Sequence, residues 1–222
     1  MSYRATDPSG PALLKPDSTP ASLSFPNPTG KSEHEGIIAL ITLNAPERLN
    51  AVRSEDMRAI AETLQWIAAQ DKVVFTVITG RGRFFSAGAD VKDPSRAIPP
   101  EAEKHPEGSA ERRVIYKNHI LSRFATGNLS LGESLHRHPK ILVGAMNGPA
   151  VGICATMLGH CDLLYTHEDF WLSTPFMGLA LVSEGLAALT FAKKMGLGRA
   201  QVALLEGKRM YAKDLRQSGF VT

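Results

Sequence analysis

Cysteine is scarce in this sequence: Cys154 and Cys161 are the only two among 222 residues. Both lie in one apolar stretch, and no spacing there suits a zinc site or a disulfide framework, so they read as core thiols of a reducing compartment. No apolar run reaches about 18 residues, so no membrane-spanning helix is expected. Neither sign of charge dominates. With 25 Lys+Arg against 22 Asp+Glu the formal net charge is +3, too mild to argue for nucleic acid. No G-x-S-x-G, Walker or Rossmann fingerprint is present. His160 and His167 lack any paired ligand spacing, so no metal is expected, and His136-Arg137-His138 before Pro139 reads as a solvated helix end. Met1–Gly10 lacks the basic-then-apolar layout of a secretory leader, and Ser218–Thr222 is not an S-K-L address. The expectation is a soluble, intracellular, globular protein.

What is present begins with proline. Residues 1–35 carry Pro8, Pro11, Pro16, Pro20, Pro26 and Pro28, so this segment is expected to be mostly irregular, with one short strand near Ser22–Phe25. Residues 36–222 are expected to form the core domain. Ile37–Leu43 is a β-branched apolar run and predicts a buried strand. Ser54 caps a predicted helix whose apolar face is Met57, Ile60, Leu64 and Ile67. Val73–Thr79 and Ile141–Met146 predict further strands. Asp93–Arg113 reads as a long exposed loop, then Val114–Phe124 and Ser130–Arg137 as helices. Gly152–Gly159, Glu184–Met195 and Ala200–Leu205 also read as helical, and Asp162–Thr166 and Phe170–Ser173 as short strands. Strand, helix, strand implies a parallel sheet covered on its faces, an α/β protein.

Three segments follow strands, where ligands bind in such folds. In Arg81–Asp90, small residues permit close backbone approach, and Arg81, Arg83 and Lys92 could meet phosphates; a glycine turn with solvated arginines is the plainer reading. Met146–Thr156 turns a strand sharply into a helix, offering either free amides for an anion or merely close packing. Glu184, after an apolar run and beside Ser183, is either an acid in a helix's first turn or a carboxylate base in an apolar pocket.

Taken together, these segments resemble the crotonase superfamily, the enoyl-CoA hydratase/isomerases. The matching pieces are Ile41–Ala51 (ITLNAPERLNA), Phe85–Asp90 (FSAGAD) and Asn147–Gly152 (NGPAVG). The likeness extends from about Ile37 to Thr222. Within the family, Asn147–Ala150 and Val182–Gly185 look most like the eukaryotic Δ3,Δ2-enoyl-CoA isomerases, the fungal peroxisomal ones especially. The resemblance implies a spiral of repeated ββα units and an acyl-CoA thioester substrate, with no cofactor beyond the coenzyme A that the substrate carries. It implies an oxyanion hole from the amides of Ala89 and Ile153, and CoA binding by Ala87, Gly88, Asp90, Lys92 and Gly152. The two glutamates of hydratases fall on Thr156 and Phe176, neither of which transfers protons, whereas the isomerase glutamate falls on Glu184. The implied reaction is therefore 3-enoyl-CoA to trans-2-enoyl-CoA in fatty-acid β-oxidation. A hydratase, another enolate-forming acyl-CoA enzyme and a non-catalytic acyl-CoA-binding protein are the alternatives. The resemblance also implies a peroxisomal location and a homotrimer or hexamer, the assembly weakened because the chain stops before the family's C-terminal helical region.

Overall fold

The computed structural model describes residues 21–26 and 37–222, so most of the irregular segment expected over 1–35 lies outside the described residues. Within it, β1 (Ala21–Ser24) lies antiparallel to β2 (Ile37–Leu43). β2 has the ends that its β-branched run predicts, and Ala39, Ile41 and Leu43 are fully buried. α1 (Ser54–Ala68) buries Met57, Ile60, Leu64 and Ile67, the face set by their spacing of three and four. Ser54 is not the cap. Arg53 occupies that position in extended backbone, and its N–H donates to Asp56 Oδ2 at 2.9 Å. The carboxylate of the first turn supplies the acceptor, so the serine hydroxyl is not needed for it. β3 (Val73–Gly80) then runs parallel to β2.

The expected long loop after Asp93 is more structured than its composition suggests. A 3-10 turn at Pro94–Arg96 and α2 (Pro100–Glu103) interrupt it, and α3 (Ala110–Phe124) begins four residues before the expected Val114. Ser109 caps α3 by accepting the Arg112 N–H at 3.2 Å. α3 buries no residue, so its first turn carries no apolar periodicity to announce it. It passes through a π-helical turn, Ala125–Leu129, into α4 (Ser130–His136).

β4 (Ile141–Met146) extends the sheet in parallel, and β5 (Ala150–Val151) and α5 (Gly152–Leu158) follow directly. The same order recurs in β6 (Leu163–Thr166), β7 (Trp171–Ser173) and α6 (Ala187–Met195). The chain then forms α7 (Leu197–Leu204), β8 (Met210–Tyr211) and α8 (Ala212–Gln217). The long strands make one sheet in the order β1-β2-β3-β4-β6, and the short ones a second, β5-β7-β8. Each turn of chain thus puts a strand in each sheet and closes with a helix. A single-residue bridge, Ser86 to Ala150, gives the turn after β3 the same plan. This is the expected α/β spiral of ββα units. β5 and β8 were not foreseen, because two residues show no periodicity. Cys154 and Cys161 sit in the core, where burial pushes both thiols up to about 12.

His138 departs from the solvated helix end expected of it. His136 and Arg137 do face solvent, but the His138 ring turns inward and its Nε2 is hydrogen-bonded to Thr76 Oγ1 at 2.8 Å. Burial, helped by the charge of Lys140, lowers its pKa from 6.5 to about 4. As pH falls below 6.5 the unfolded chain therefore takes up a proton that the folded chain refuses. The stability contributed by the neutral ring is complete above pH 6.5 and is lost as pH falls toward about 4. Urea unfolding at a series of pH values should show this loss, and His138→Gln should flatten it. An equal acid slope in both proteins contradicts the assignment.

Candidate active site

The three segments are stitched into one frame by their backbones. Val52 N–H donates to the Gly88 carbonyl, Asp90 N–H to the Val52 carbonyl and Ala87 N–H to the Leu49 carbonyl, each at 2.8 Å. Ser86 N–H donates to the Pro149 carbonyl at 3.2 Å, and Val151 N–H returns to the Ser86 carbonyl at 2.9 Å. Two asparagines fasten the corners. Buried Asn50 accepts from Ala45 N–H at 2.8 Å and donates to the carbonyls of Arg81 and Phe84, both at 2.9 Å. Asn147 accepts from Gly80 N–H at 3.0 Å and donates to the Gly82 carbonyl at 2.7 Å. Much of what makes these motifs recognisable is therefore framework, each buried polar group meeting a backbone partner.

Gly88 shows why the frame needs a glycine. Its φ is +89°, and a Cβ there would sit 2.7 Å from the Val151 carbonyl oxygen. The space a side chain would take is filled by the neighbouring segment, while the residue also lies on the cavity wall described below. Gly88→Ala should cost roughly 1–3 kcal/mol through left-handed strain and the clash, and should part the two segments. A melting temperature equal to the parent's contradicts this packing.

On this frame stands a cavity of about 430 Å³, and its wall includes Ala87, Gly88, Ala89, Asp90, Gly152, Ile153 and Glu184. Among the described residues the Ala89 N–H has no acceptor. Ile153 is the second residue of α5, in the turn whose N–H groups lack partners within the helix. Met57, Ile120, Phe124, Phe176, Leu179 and Leu181 supply an apolar side. Lys92 does not belong to this wall: it is exposed on the adjoining loop. Arg81 and Arg83 are also exposed and outside it, with Arg83 lying 5.7 Å over the Phe84 ring.

The carboxylates of the wall are Asp90, Asp93 and Glu184. Asp90 is paired with Arg53 at 3.0 Å and Arg48 at 3.6 Å, and the Arg53 hydrogen bond holds it below the usual carboxylate range. Burial alone would raise Asp93. Hydrogen bonds from Ser95 and Ser54, and Arg123 at 3.6 Å, outweigh it and hold that carboxyl low. Glu184 is the reverse. Burial raises its pKa, opposed by a hydrogen bond from the Asn128 side-chain amide and by the charge of Arg96. No arginine, lysine or histidine forms an ion pair with it among the described residues.

Glu184 is not in a helix, contrary to the helix expected from that residue onward. Gly185 and Leu186 both have left-handed backbone, φ +60° and +58°, so α6 starts only at Ala187. Ser183 is no cap, and its buried hydroxyl has no hydrogen-bond partner among the described residues. The turn is pinned from below. A side chain at Gly185 would collide with Thr156 Oγ1, and the His160 ring is hydrogen-bonded to the Gly185 carbonyl at 2.9 Å. Thr156 itself is fully buried and donates to the Ile153 carbonyl at 2.7 Å. Asn128 was missed in the sequence. It lies in the π-helical turn, whose extra residue shifts the helical phase and leaves no motif.

Residues 33–222 match the family model described as enoyl-CoA hydratase/isomerase. The chain is 36% identical over 189 residues to a Δ(3,5)-Δ(2,4)-dienoyl-CoA isomerase of Pyricularia oryzae, covering 85% of this chain and 66% of that protein. It is 30% identical to the 3,2-trans-enoyl-CoA isomerase of Saccharomyces cerevisiae, covering 85% of this chain and 65% of that protein. It is 33% identical to the rat enoyl-CoA delta isomerase 2, covering 85% of this chain and 44% of that protein. The chain thus spans less than two thirds of the length of these relatives. A solved enoyl-CoA hydratase/isomerase from Pseudoalteromonas atlantica shares the fold, with a TM-score of 0.66 at 24% identity, over 90% of this chain and 67% of that one.

Proposed function

Because the chain belongs to the enoyl-CoA hydratase/isomerase family, we propose that it moves the double bond of a 3-enoyl-CoA to the trans-2 position, with Glu184 carrying the proton. One observation carries the reading. Of the carboxylates on the cavity wall, Glu184 alone lacks an arginine partner among the described residues and has its proton affinity raised by burial. A base of that kind takes protons better than an ordinary carboxylate.

The chemistry needs little more. The C2 proton of a 3-enoyl thioester is both α to a carbonyl and allylic. Glu184 takes it, the C2–H electrons run into a dienolate, and the thioester oxygen gains negative charge. The amides of Ala89 and Ile153 receive that oxygen, and each such donor contributes roughly 3–4 kcal/mol at the transition state. The same carboxyl returns the proton to C4, two bonds away, so the charges cancel and no water is consumed. Asn128 holds the carboxylate in place between the two transfers. Hydration would instead need groups to position and protonate around a water, and by resemblance Thr156 and Phe176 fall at those places: one spends its hydroxyl on a carbonyl, the other is apolar. Ala87, Gly88, Asp90 and Gly152 surround the thioester side of the cavity, and Lys92 meets CoA only where the ligand leaves it. The mouse relative named a peroxisomal enoyl-CoA delta isomerase supports a peroxisomal setting.

The similarity to a dienoyl-CoA isomerase favours a second reading, proton transfer from C2 to C6 of a 3,5-dienoyl-CoA. That transfer spans four bonds, and a single fixed carboxylate serves it poorly. Product analysis with 3-enoyl-CoA, 3,5-dienoyl-CoA and trans-2-enoyl-CoA distinguishes the possibilities. The proposal expects rapid conversion of the first alone; faster turnover of the dienoyl ester or a 3-hydroxyacyl product contradicts it.

A further inference from the structure

We propose that Arg96 is the counter-charge of Glu184 across the cavity and so a positioning residue for the carboxylate base. The inference rests on the isomerase reading only for its catalytic consequence, since the charge arrangement itself is a property of the free chain. On the cavity wall, Asp90 is matched by Arg53 and Arg48, and Asp93 by Arg123. That leaves one carboxylate and one guanidinium. The Arg96 guanidinium makes no hydrogen bond or ion pair among the described residues, and it lines the same cavity as Glu184.

Arg96 is also carried on a built support. It ends the 3-10 turn Pro94–Arg96, in which its own N–H donates to the Asp93 carbonyl at 3.0 Å. The preceding Ser95 is held three ways. Its N–H donates to Asp93 Oδ1 at 2.9 Å, its carbonyl is bonded to the His119 ring at 2.8 Å, and its hydroxyl accepts from Arg123 at 3.1 Å. α3 therefore clamps the turn that presents the cation.

The other groups around Glu184 are neutral or spoken for. Asn128 is an amide, and the His160 ring is kept neutral by burial and engaged with the Gly185 carbonyl. The Cys154 thiol beneath is pushed up to about 12. Among the described residues Arg96 is thus the one positive charge that supports Glu184 as an anion, and its charge opposes the effect of burial on that carboxyl. The arrangement divides two demands. Burial raises the proton affinity of Glu184, and a cation on the same cavity wall opposes that rise without the tight ion pair that would abolish its basicity.

Carboxyl ¹³C NMR of the full chain with labelled glutamate reads this directly, the Glu184 resonance being assigned by its loss in Glu184→Gln. The titration midpoint of Glu184 is expected to rise in Arg96→Gln and to stay near the parent's in Arg96→Lys. Added salt is expected to raise the parent's midpoint and to move that of Arg96→Gln much less, because charges facing across a solvated cavity are screened. A midpoint unmoved or lowered in Arg96→Gln overturns the assignment. No turnover is needed, so this failure is distinct from failure of the isomerase reading. In turnover, the acid limb of kcat is expected to move upward in Arg96→Gln at unchanged KM for the CoA ester. A raised KM with an unmoved limb assigns Arg96 to the phosphates of CoA instead and overturns the proposal.

Discussion

Glu184→Gln is expected to lower turnover of a 3-enoyl-CoA by roughly 10²–10⁴-fold, the usual contribution of a positioned base, while affinity for the acyl-CoA stays near the parent's. Glutamine keeps the length of the side chain and a carbonyl oxygen to accept from Asn128, but it cannot take up a proton. The stability effect has the opposite sign from that of an ordinary acidic residue. Burial raises the folded-state pKa of Glu184, so its ionised form costs stability at neutral pH, and that cost is relieved as pH falls through the raised value. Glu184→Gln should therefore melt no lower than the parent at neutral pH. An acid placed in a helix's first turn would behave otherwise, losing about 0.3–1 kcal/mol on neutralisation with little change in rate. The helix beginning at Ala187 removes that role. Thr156→Ala and Phe176→Leu, which touch no proton transfer in this scheme, should show no comparable loss of rate. Activity of the parent should in turn fall on its acid side as Glu184 becomes protonated.

Ile153→Pro is expected to lower turnover by roughly 10²–10³-fold by deleting one donor to the thioester oxygen. Proline is tolerated in the first turn of a helix, where the N–H has no intrahelical partner, and Ile153 is the second residue of α5. The isoleucine side chain is buried, so the substitution also loses packing. Ile153→Ala separates the two effects, because it loses the side chain and keeps the amide. It should share the lower melting temperature of the proline variant and retain most of the rate. Equal rates for the two variants contradict the use of this amide.

The parts of the fold that were legible in the sequence are those where one physical signal acts alone. Ile37–Leu43 and Ile141–Met146 have the ends their apolar runs predict, because parallel strands covered on both faces need continuous hydrophobicity. The face of α1 follows from spacing for the same reason. Its cap does not, because an aspartate one turn on could serve where a serine hydroxyl was expected, and only geometry chooses between them. At the cavity, resemblance pointed to Glu184, which lies on its wall, but the chain around it misled. Two consecutive left-handed residues, one of them Leu186, stop a helix that composition alone would have continued. Asn128 and Arg96 carry no local signal. Each reaches the cavity from a segment, a π-helical turn and a clamped 3-10 turn, whose geometry depends on contacts made far along the chain.

The single-carboxylate mechanism makes one demand that no two-group mechanism shares. A 3-enoyl-CoA carrying deuterium at C2, incubated with this chain in ordinary water, should give trans-2-enoyl-CoA with part of that deuterium at C4, because the group that removes the label also delivers it. NMR of the product reads this directly. Deuterium at C4 of the trans-2 ester, abolished in Glu184→Gln, is the predicted result; a trans-2 ester with only solvent hydrogen at C4, or a 3-hydroxyacyl product, would contradict the account.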